Sequence, residues 1–513
     1  MIYLDHAATT PLHPQAAQAL RAWLDQPGAQ ANPASDHAAG RELRARIEQA
    51  RAQVAALIGA QPEELLFTSG ATEANNLALK GALEFRGRSG AHLVTSRIEH
   101  RCVLDSARWL ETQGVRVSYL RPDARGRIDP AAVLAELRPE TVLVSLMWVQ
   151  NELGSCLPIE RLAPRLRERG VLLHVDAAQA AGKLAIDLAR TPVDLLSLSA
   201  HKLGGPPGIG ALFVRKRPRA RLSPQLHGGG QEQGMRSGTL PAPLILAFGA
   251  AAAAAAAEQP ALAARLETLR ERLWQGLRAG IPDLTRNTPP AGEAAPQLLN
   301  VSVPGVEGES LRARLPALAL SSGAACSSAT REPSYVLRAL GHDDALAEAS
   351  LRYSLGRDTT AAEIDQAIQL TVAAVQALRD IARGVPPAAL AATDPRYPSP
   401  VWQRFCAPTR VGAVAAAPEQ HEIGTRAGRD RLWLGVWRDA SGRVQQACFQ
   451  ALGSPYTIAL GQWLCESLSA ASGPLQPSAA IIRAALEIPE ERAHCALMGE
   501  EALLALSPPV IPA

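Results

Sequence analysis

Lys202 is one of four lysines in a chain of 513 residues in which arginine holds nearly every other basic position. It closes the stretch HVDAAQAAGKLAIDLARTPVDLLSLSAHK, residues 174–202. Two apolar runs, 171–175 and 195–199, predict parallel strands that each stop at polar residues. Asp176, Gln179, His201 and Lys202 then belong at strand ends, the edge of an open α/β sheet where ligands sit. An amine condenses with an aldehyde, and a lysine kept beside His201 invites that chemistry. A surface lysine following a strand is the other reading of the same residues.

A second stretch, FTSGATEANN at residues 67–76, runs from a strand through a glycine turn into a helix. Its free backbone N–H groups and hydroxyls suit a phosphate, although packing alone could also produce such a turn. Asp176 ends an apolar strand and, if buried, needs a partner, which favours a working carboxylate. His100 reads equally as a core histidine, and Arg352 as an edge residue of a short strand. An anchor for phosphate, an amine and a carboxylate at a neighbouring strand end are what pyridoxal phosphate requires. Cys326 lies in SSGAACSSAT, residues 321–330. Such small side chains bury little, which predicts a mobile segment whose thiol can visit a site and swing outward. Cys102 and Cys156 sit among apolar residues and read as packed thiols.

The elements that must position these groups follow from periodicity. Strands are predicted at 65–68, 93–96, 115–120, 142–146, 171–175, 195–199 and 210–214, alternating with amphipathic helices. That alternation predicts a mostly parallel sheet covered on both faces, a large domain of about residues 14–258. From 259 to 384 the order changes to a leucine-periodic helix, a strand at 298–303, mixed helices and a strand at 351–354. A smaller α+β domain fits, with residues 1–13 packing onto it. Residues 385–396, VPPAALAATDPR within a proline-rich run, read as a linker. A third α+β unit occupies 397–513, with strands at 432–436 and 447–451 and helices at 459–470, 478–486 and 491–506. The alanine-rich block at 244–257 precedes charged residues and reads as an ordinary helix, not a membrane span. A net charge of +3 without a basic, aromatic-interleaved block gives no support for nucleic-acid binding. Seven scattered cysteines without CxxC spacing suit a reducing cytoplasm.

The motifs taken in order resemble the IscS/NifS-type cysteine desulfurases, of the class V aminotransferase fold. The resemblance spans nearly all of residues 1–384: YLDHAATTP, NPAS at Asn32, FTSGATEANN, EH at Glu99, QNELG at Gln150, HVDAAQ, SAHK, HGGGQEQGMRSGT, SSGAACSSA, EPSYVLRALG and LRYSLGR. It implies a fold type I pyridoxal-phosphate enzyme, a homodimer acting on L-cysteine. Position by position, Lys202 looks like the Schiff-base lysine, Asp176 the partner of the pyridine nitrogen and Gln179 the partner of the ring oxygen. His100 would stack on the ring and assist proton transfer. Ala71, Thr72, Ser199 and His201 resemble the phosphate ligands, and Thr239 the threonine reaching the neighbouring subunit's phosphate. Asn151 and Arg352, with Asn32, match positions that bind substrate, and an arginine fork suits a carboxylate better than lysine does. Cys326 would take the substrate's sulfur as a persulfide, leaving alanine. A selenocysteine lyase, another lyase of the same fold, or a mainly regulatory fusion are the competing readings.

Residues 397–507 resemble, more weakly, the IscU-type scaffold of iron–sulfur cluster assembly, through CAPTRVG, RAGRD, ACFQALGSPYTIA and ERAHCAL. Such scaffolds use three cysteines. Here Gly428 and Ser454 replace two of them, and Cys495 remains. Asp430, His494 and Cys495 form an N/O/S set for zinc or a cluster. Cluster assembly wants more thiolates, so the domain is expected to act as a dock, an acceptor at Cys495 or a regulator, serving scaffold or other sulfur-acceptor proteins.

Overall fold

The computed structural model describes residues 1–26, 31–321, 332–425, 429–471 and 475–506. Its largest feature is a seven-stranded sheet in the order β2-β8-β7-β6-β5-β3-β4. The strands are β2 (Leu65–Thr68), β3 (His92–Ser96), β4 (Arg116–Leu120), β5 (Thr141–Met147), β6 (Leu172–Asp176), β7 (Leu195–Ser199) and β8 (Gly210–Val214). β8 runs antiparallel to β2 and β7, and the remaining pairings are parallel. Strands buried on both faces read as continuous apolar runs, which is why their positions are legible from sequence. Helices α1 (Pro14–Asp25), α2 (Ala38–Leu57), α3 (Ala71–Arg86), α4 (Arg101–Thr112), α5 (Pro130–Ala135) and α6 (Ile159–Glu168) belong to this part. Two apolar clusters, one built around Phe67 and Val175 and one around Leu79 and Leu93, make its core.

The alanine block and the leucine-periodic stretch are halves of one helix, α7 (Ala242–Gly280), with Pro260 inside it. Its first half contributes Ile245, Phe248 and Ala252 to the large core, and its second half Leu266, Leu273 and Leu277 to another. The change of neighbourhood therefore happens within a continuous helix. Among the described residues α7 alone is long and apolar enough to cross a membrane, yet 44% of that window is buried inside the protein.

The second core surrounds the antiparallel sheet β12-β10-β9 and a parallel pair, β1 with β11. These are β1 (Ile2–Tyr3), β9 (Thr285–Arg286), β10 (Leu298–Ser302), β11 (Leu318–Ala319) and β12 (Ser350–Ser354), accompanied by α8 (Gly308–Ala313), α9 (Tyr335–Ala339), α10 (Asp344–Glu348) and α11 (Ala361–Arg383). The N-terminal residues are held here by β1 and by a bridge from Asp5 to Ser354.

Beyond residue 396 come α12 (Ser399–Cys406), the antiparallel strands β13 (Glu419–Gly424), β14 (Arg431–Arg438) and β15 (Val444–Leu452), then α13 (Pro455–Ala470), α14 (Ala479–Leu486) and α15 (Ala493–Leu506). Strand β13 escapes a sequence reading because EQHEIG buries only Ile423 and lies on the sheet edge. This unit does not hang from its linker. One apolar cluster runs continuously from Leu311 and Leu378 to Tyr397, Trp402, Tyr456 and Leu460. Polar ties cross the same boundary: Ser310 Oγ donates to Gly453 O at 2.8 Å, Tyr397 Oη to Glu309 Oε1 at 3.0 Å and Arg429 to Glu348 at 2.6 Å. Within 385–396, Leu390 N donates to Cys406 O at 2.9 Å, and Trp402 Nε1 donates to Ala392 O at 2.8 Å.

Candidate active site

The carboxyl ends of the parallel strands open into a cavity of about 440 Å³. Ala71, Thr72, His100, Asn151, Asp176, Gln179, Ser199, His201, Lys202 and Arg352 all line it. At one end, Gly70 precedes α3 with a φ of 154°, a conformation that a side chain would strain. No side chain caps this 16-residue helix, so the first-turn N–H groups at Ala71 and Thr72 are available to an anion. His201 closes the same end. Burial first, and the charge of Lys202 second, lower its pKa to about 4, which leaves it neutral.

Asp176 ends β6 and is 6% exposed. Its Oδ2 accepts from Asn75 Nδ2 at 2.8 Å and its Oδ1 from Ala178 N at 3.0 Å. Asn75 stands one helical turn beyond Ala71, which aims its amide at the sheet. The carboxylate is therefore held in place without a cation. Lys202 Nζ donates to the carbonyls of Ala7 and Ala8, the latter at 2.7 Å. Gln179 Nε2 donates to the same Ala7 carbonyl at 2.9 Å, and Thr10 N to His201 O at 2.8 Å. The N-terminal segment thus roofs the lysine. These carbonyls carry no side-chain signature, so a sequence reading has no means of finding them. Beneath, Lys183 is half-buried and donates to Lys202 O at 3.2 Å, with desolvation lowering its pKa to about 8.

Arg352, on β12, is 3% exposed. One terminal nitrogen donates to Asn151 O at 3.0 Å, the other to Asp5 Oδ1 at 2.8 Å, and its buried Nε has no acceptor. A buried arginine that lines a cavity and has an N–H without an acceptor fits a site for a carboxylate. The backbone of Arg352 also accounts for Ser321, whose carbonyl accepts from Arg352 N at 2.8 Å. After residue 331, Ser334 Oγ donates to Glu152 Oε2 at 2.5 Å and Tyr335 Oη to Glu99 O at 2.6 Å. Both carboxyl groups lie wholly buried. Burial raises both pKa values, that of Glu99 to about 8 with a further push from Asp176. Cys326 itself lies outside the described residues, but one flank of its segment is fastened to Arg352 on the cavity wall and the other to Glu99 and Glu152, the chain neighbours of the wall residues His100 and Asn151.

Two expected positions are elsewhere. Asn32 and Thr239 line a separate cavity of about 530 Å³ beside Arg51 and Glu232, not the one holding Lys202. Asn32, expected to bind substrate, lies ahead of α2 and does not line the cavity that holds Lys202 of its own chain. A correction concerns Cys102. Its surroundings are not simply apolar: it lines the cavity, 3.1 Å from Asn75 Nδ2 and 3.0 Å from His100 Nδ1. Cys156 remains a packed thiol, and burial pushes its pKa up to about 12.

In the C-terminal unit Asp430, His494 and Cys495 do meet. His494 Nε2 is 3.4 Å from Asp430 Oδ2 and 3.3 Å from Cys495 Sγ. Hydrogen bonds to Asp430 and Cys495 raise the histidine pKa to about 10, so a metal would have to displace a tightly held proton to bind this ring. Asp430 Oδ1 is further occupied by Ser454 N at 2.8 Å and by Thr457 Oγ1. Cys495 is 0% exposed. Among the described residues no group of three or more His, Cys, Asp or Glu is arranged to hold a metal ion. Gly428 lies outside the described residues.

Comparisons with known proteins agree with this layout. Residues 2–367 match the family described as Aminotransferase class-V, and residues 396–506 match the NifU-like N terminal domain. A cysteine desulfurase IscS of Pectobacterium carotovorum is 48% identical over 405 residues, covering 79% of this chain and 96% of that relative. One from Salmonella typhi is 49% identical over 381 residues, covering 74% and 94%. Among solved structures, a NifS-like protein is similar with a TM-score of 0.67 at 32% identity, over 72% of this chain and 98% of that one. DndA from Streptomyces lividans is similar with a TM-score of 0.58 at 39% identity, over 69% and 99%. A cavity with an uncapped helix, a carboxylate and a roofed lysine at adjacent strand ends, in a chain of this descent, makes the protein a class V aminotransferase-fold enzyme, a cysteine desulfurase carrying a NifU-like domain at its C-terminal end.

Proposed function

We propose that the enzyme converts L-cysteine and the thiol of Cys326 into L-alanine and a Cys326 persulfide. Pyridoxal phosphate, when bound, supplies an aldehyde for the lysine and a ring that accepts electrons. The α3 N-terminus with Ala71 and Thr72, together with Ser199 and His201, would hold its phosphate. Asp176 would keep the ring nitrogen protonated, Gln179 would bond the ring oxygen, and His100 would stack on the ring. Arg352 and Asn151 orient the substrate carboxylate, and Lys202 moves the α-proton. The C–S bond breaks as an S–S bond forms to Cys326. The substrate sulfur leaves with the thiol's own sulfur as –S–SH, and the carbon it left takes up a proton to become alanine's methyl group.

The observation that carries this reading is that Arg352 lines the lysine-bearing cavity and has one guanidinium N–H lacking an acceptor, while its backbone holds the residue at the start of the Cys326 segment. The test is alanine release from L-cysteine with a thiol reductant present. Cys326→Ser should fall about a hundredfold or more, as expected for loss of a nucleophile. Release at the wild-type rate would overturn the assignment, and faster selenide than sulfide release would move the substrate to selenocysteine.

The working unit is a homodimer in a reducing cytoplasm, with Asn32 and Thr239 of each chain serving the partner's cavity. Their shared place away from Lys202 supports this, as do six free cysteines among the described residues. The NifU-like domain is a docked module that regulates sulfur delivery to scaffold or other acceptor proteins. A continuous core with the small domain and a fully buried Cys495 favour that role over building a zinc or iron–sulfur site.

A further inference from the structure

The N-terminus of α3 has two claimants. Glu73 stands in its first turn, where the helix dipole favours a negative charge. The carboxylate also accepts the Ser69 N–H at 2.8 Å, closing the turn that leads into the helix. Yet Glu73 lines the cofactor cavity together with Ala71 and Thr72, whose N–H groups suit a phosphate. A phosphate monoester carries about two negative charges near neutral pH. Two anions in one cavity oppose each other unless a cation offsets one of them.

Arg236 is that cation. Its Nε donates to Glu73 Oε1 at 2.9 Å, and a terminal nitrogen reaches Oε2 at 3.4 Å. The two side chains are 18% and 20% exposed, so water screens the pair less than it would on an open surface. Arg236 comes from a loop 163 residues further along the chain, held by a bridge to Leu226 and by Ser237 N donating to Leu226 O at 3.2 Å. Burial works to raise the pKa of Glu73, but the hydrogen bonds from Arg236 and Ser69 outweigh it and hold the carboxyl below its ordinary value. Glu73 therefore stays ionised beside the phosphate position. Among the described residues Arg236 is the cation paired with it, and the neutral His201 at the same end adds no charge.

We infer that Arg236 is a positioning residue of the cofactor cavity: it neutralises Glu73, so that the α3 terminus accepts a phosphate with a carboxylate already in its first turn. Without the guanidinium the cavity keeps an uncompensated anion and loses part of its hold on the phosphate. Glutamine at 236 keeps a hydrogen-bond donor toward Glu73 and removes the charge. Glutamine at 73 keeps an acceptor for Ser69 N and removes the opposing charge. The second change should repair the first, which a purely structural tie would not allow.

The inference rests on the reading of the cavity as a pyridoxal phosphate site, and pyridoxal, the same ring without its phosphate, separates the two. Equilibrium dialysis of cofactor-free, full-length protein against each ligand gives both dissociation constants. Arg236→Gln should bind pyridoxal phosphate about tenfold more weakly, the scale of one partly screened charge, and pyridoxal within about twofold of wild type. The deficit relative to wild type should shrink as potassium chloride is raised, because salt screens the repulsion. Glu73→Gln should bind pyridoxal phosphate at least as tightly as wild type. The double variant should return to within about threefold of wild type, the coupling expected of paired residues. An Arg236→Gln protein that matches wild type, a deficit that ignores salt, or a double variant no better than Arg236→Gln overturns the inference. So does weakened binding by Glu73→Gln, a result that stands even if Arg236→Gln fails to fold. A wild type that binds pyridoxal as tightly as pyridoxal phosphate removes the phosphate reading itself, and the inference with it.

Discussion

Two places in this molecule gather nitrogen, oxygen and sulfur side chains, and they do opposite things with them. In the cofactor cavity the groups are held by outsiders: Asp176 by Asn75 and a backbone N–H, Lys202 by carbonyls of the N-terminal segment, Arg352 by Asp5 and Asn151 O. All three residues line the same open volume. In the C-terminal cluster Asp430, His494 and Cys495 hold one another, and the remaining Asp430 valence goes to Ser454 and Thr457. Electrostatics follow the same division. Burial drives His201 neutral, whereas Asp430 and Cys495 hold His494 charged. Bringing ligand-type residues together does not make a site; a site needs partners that position the groups without consuming them.

The largest expected effect separates the two places by activity. Lys202→Ala should reduce alanine release by about four orders of magnitude or more and remove the visible absorbance of the loaded protein, because no other group supplies the amine. A coloured, active variant would break the comparison at its stronger end. The next effect concerns stability. Asp430→Asn should cost about 1–3 kcal/mol by stranding the donors that converge on the carboxylate, read as earlier thermal unfolding of the C-terminal unit. Alanine release should stay within about twofold of wild type, in the range of a change remote from chemistry. Loss of turnover there would mean that the cluster belongs to the catalytic machinery after all.

The smallest effect is a pH dependence. His494 has a folded pKa raised to about 10 against an ordinary value near 6.5, so its charge contributes stability fully below pH 6.5. That contribution is lost as pH rises through 10. The gap in unfolding temperature between wild type and His494→Gln should therefore be widest near neutrality and close at alkaline pH. A gap that widened with pH would show that the ring is neutral in the folded protein, and would reopen the cluster to metals.

Strand periodicity and the polar residues that end each strand were enough to place Asp176, Gln179, His201 and Lys202 on one sheet edge, because alternation with helices allows few other arrangements. The turn at Gly70 was visible for a similar reason, since a glycine between a strand and a helix marks the point where the chain turns. The edge strand β13 was not visible, because it buries one residue and shows no pattern. Nor was the continuity of α7, whose two halves differ in composition because they serve different cores. Cys102 looked like filler, since a thiol's neighbours along the chain say nothing of an amide that reaches it from α3.

What the sequence decided by itself is the chemistry available: an amine, a carboxylate, an arginine and a small-residue segment bearing Cys326, all encoded in short contiguous motifs. Tertiary structure decided what each group is free to do. It tied the lysine to backbone carbonyls nearly two hundred residues away, set Asn32 and Thr239 outside their own chain's lysine cavity, and closed Asp430, His494 and Cys495 upon themselves against a docked small domain. Side-chain identity is local information, but the number of unspent hydrogen bonds on a group depends on everything folded around it.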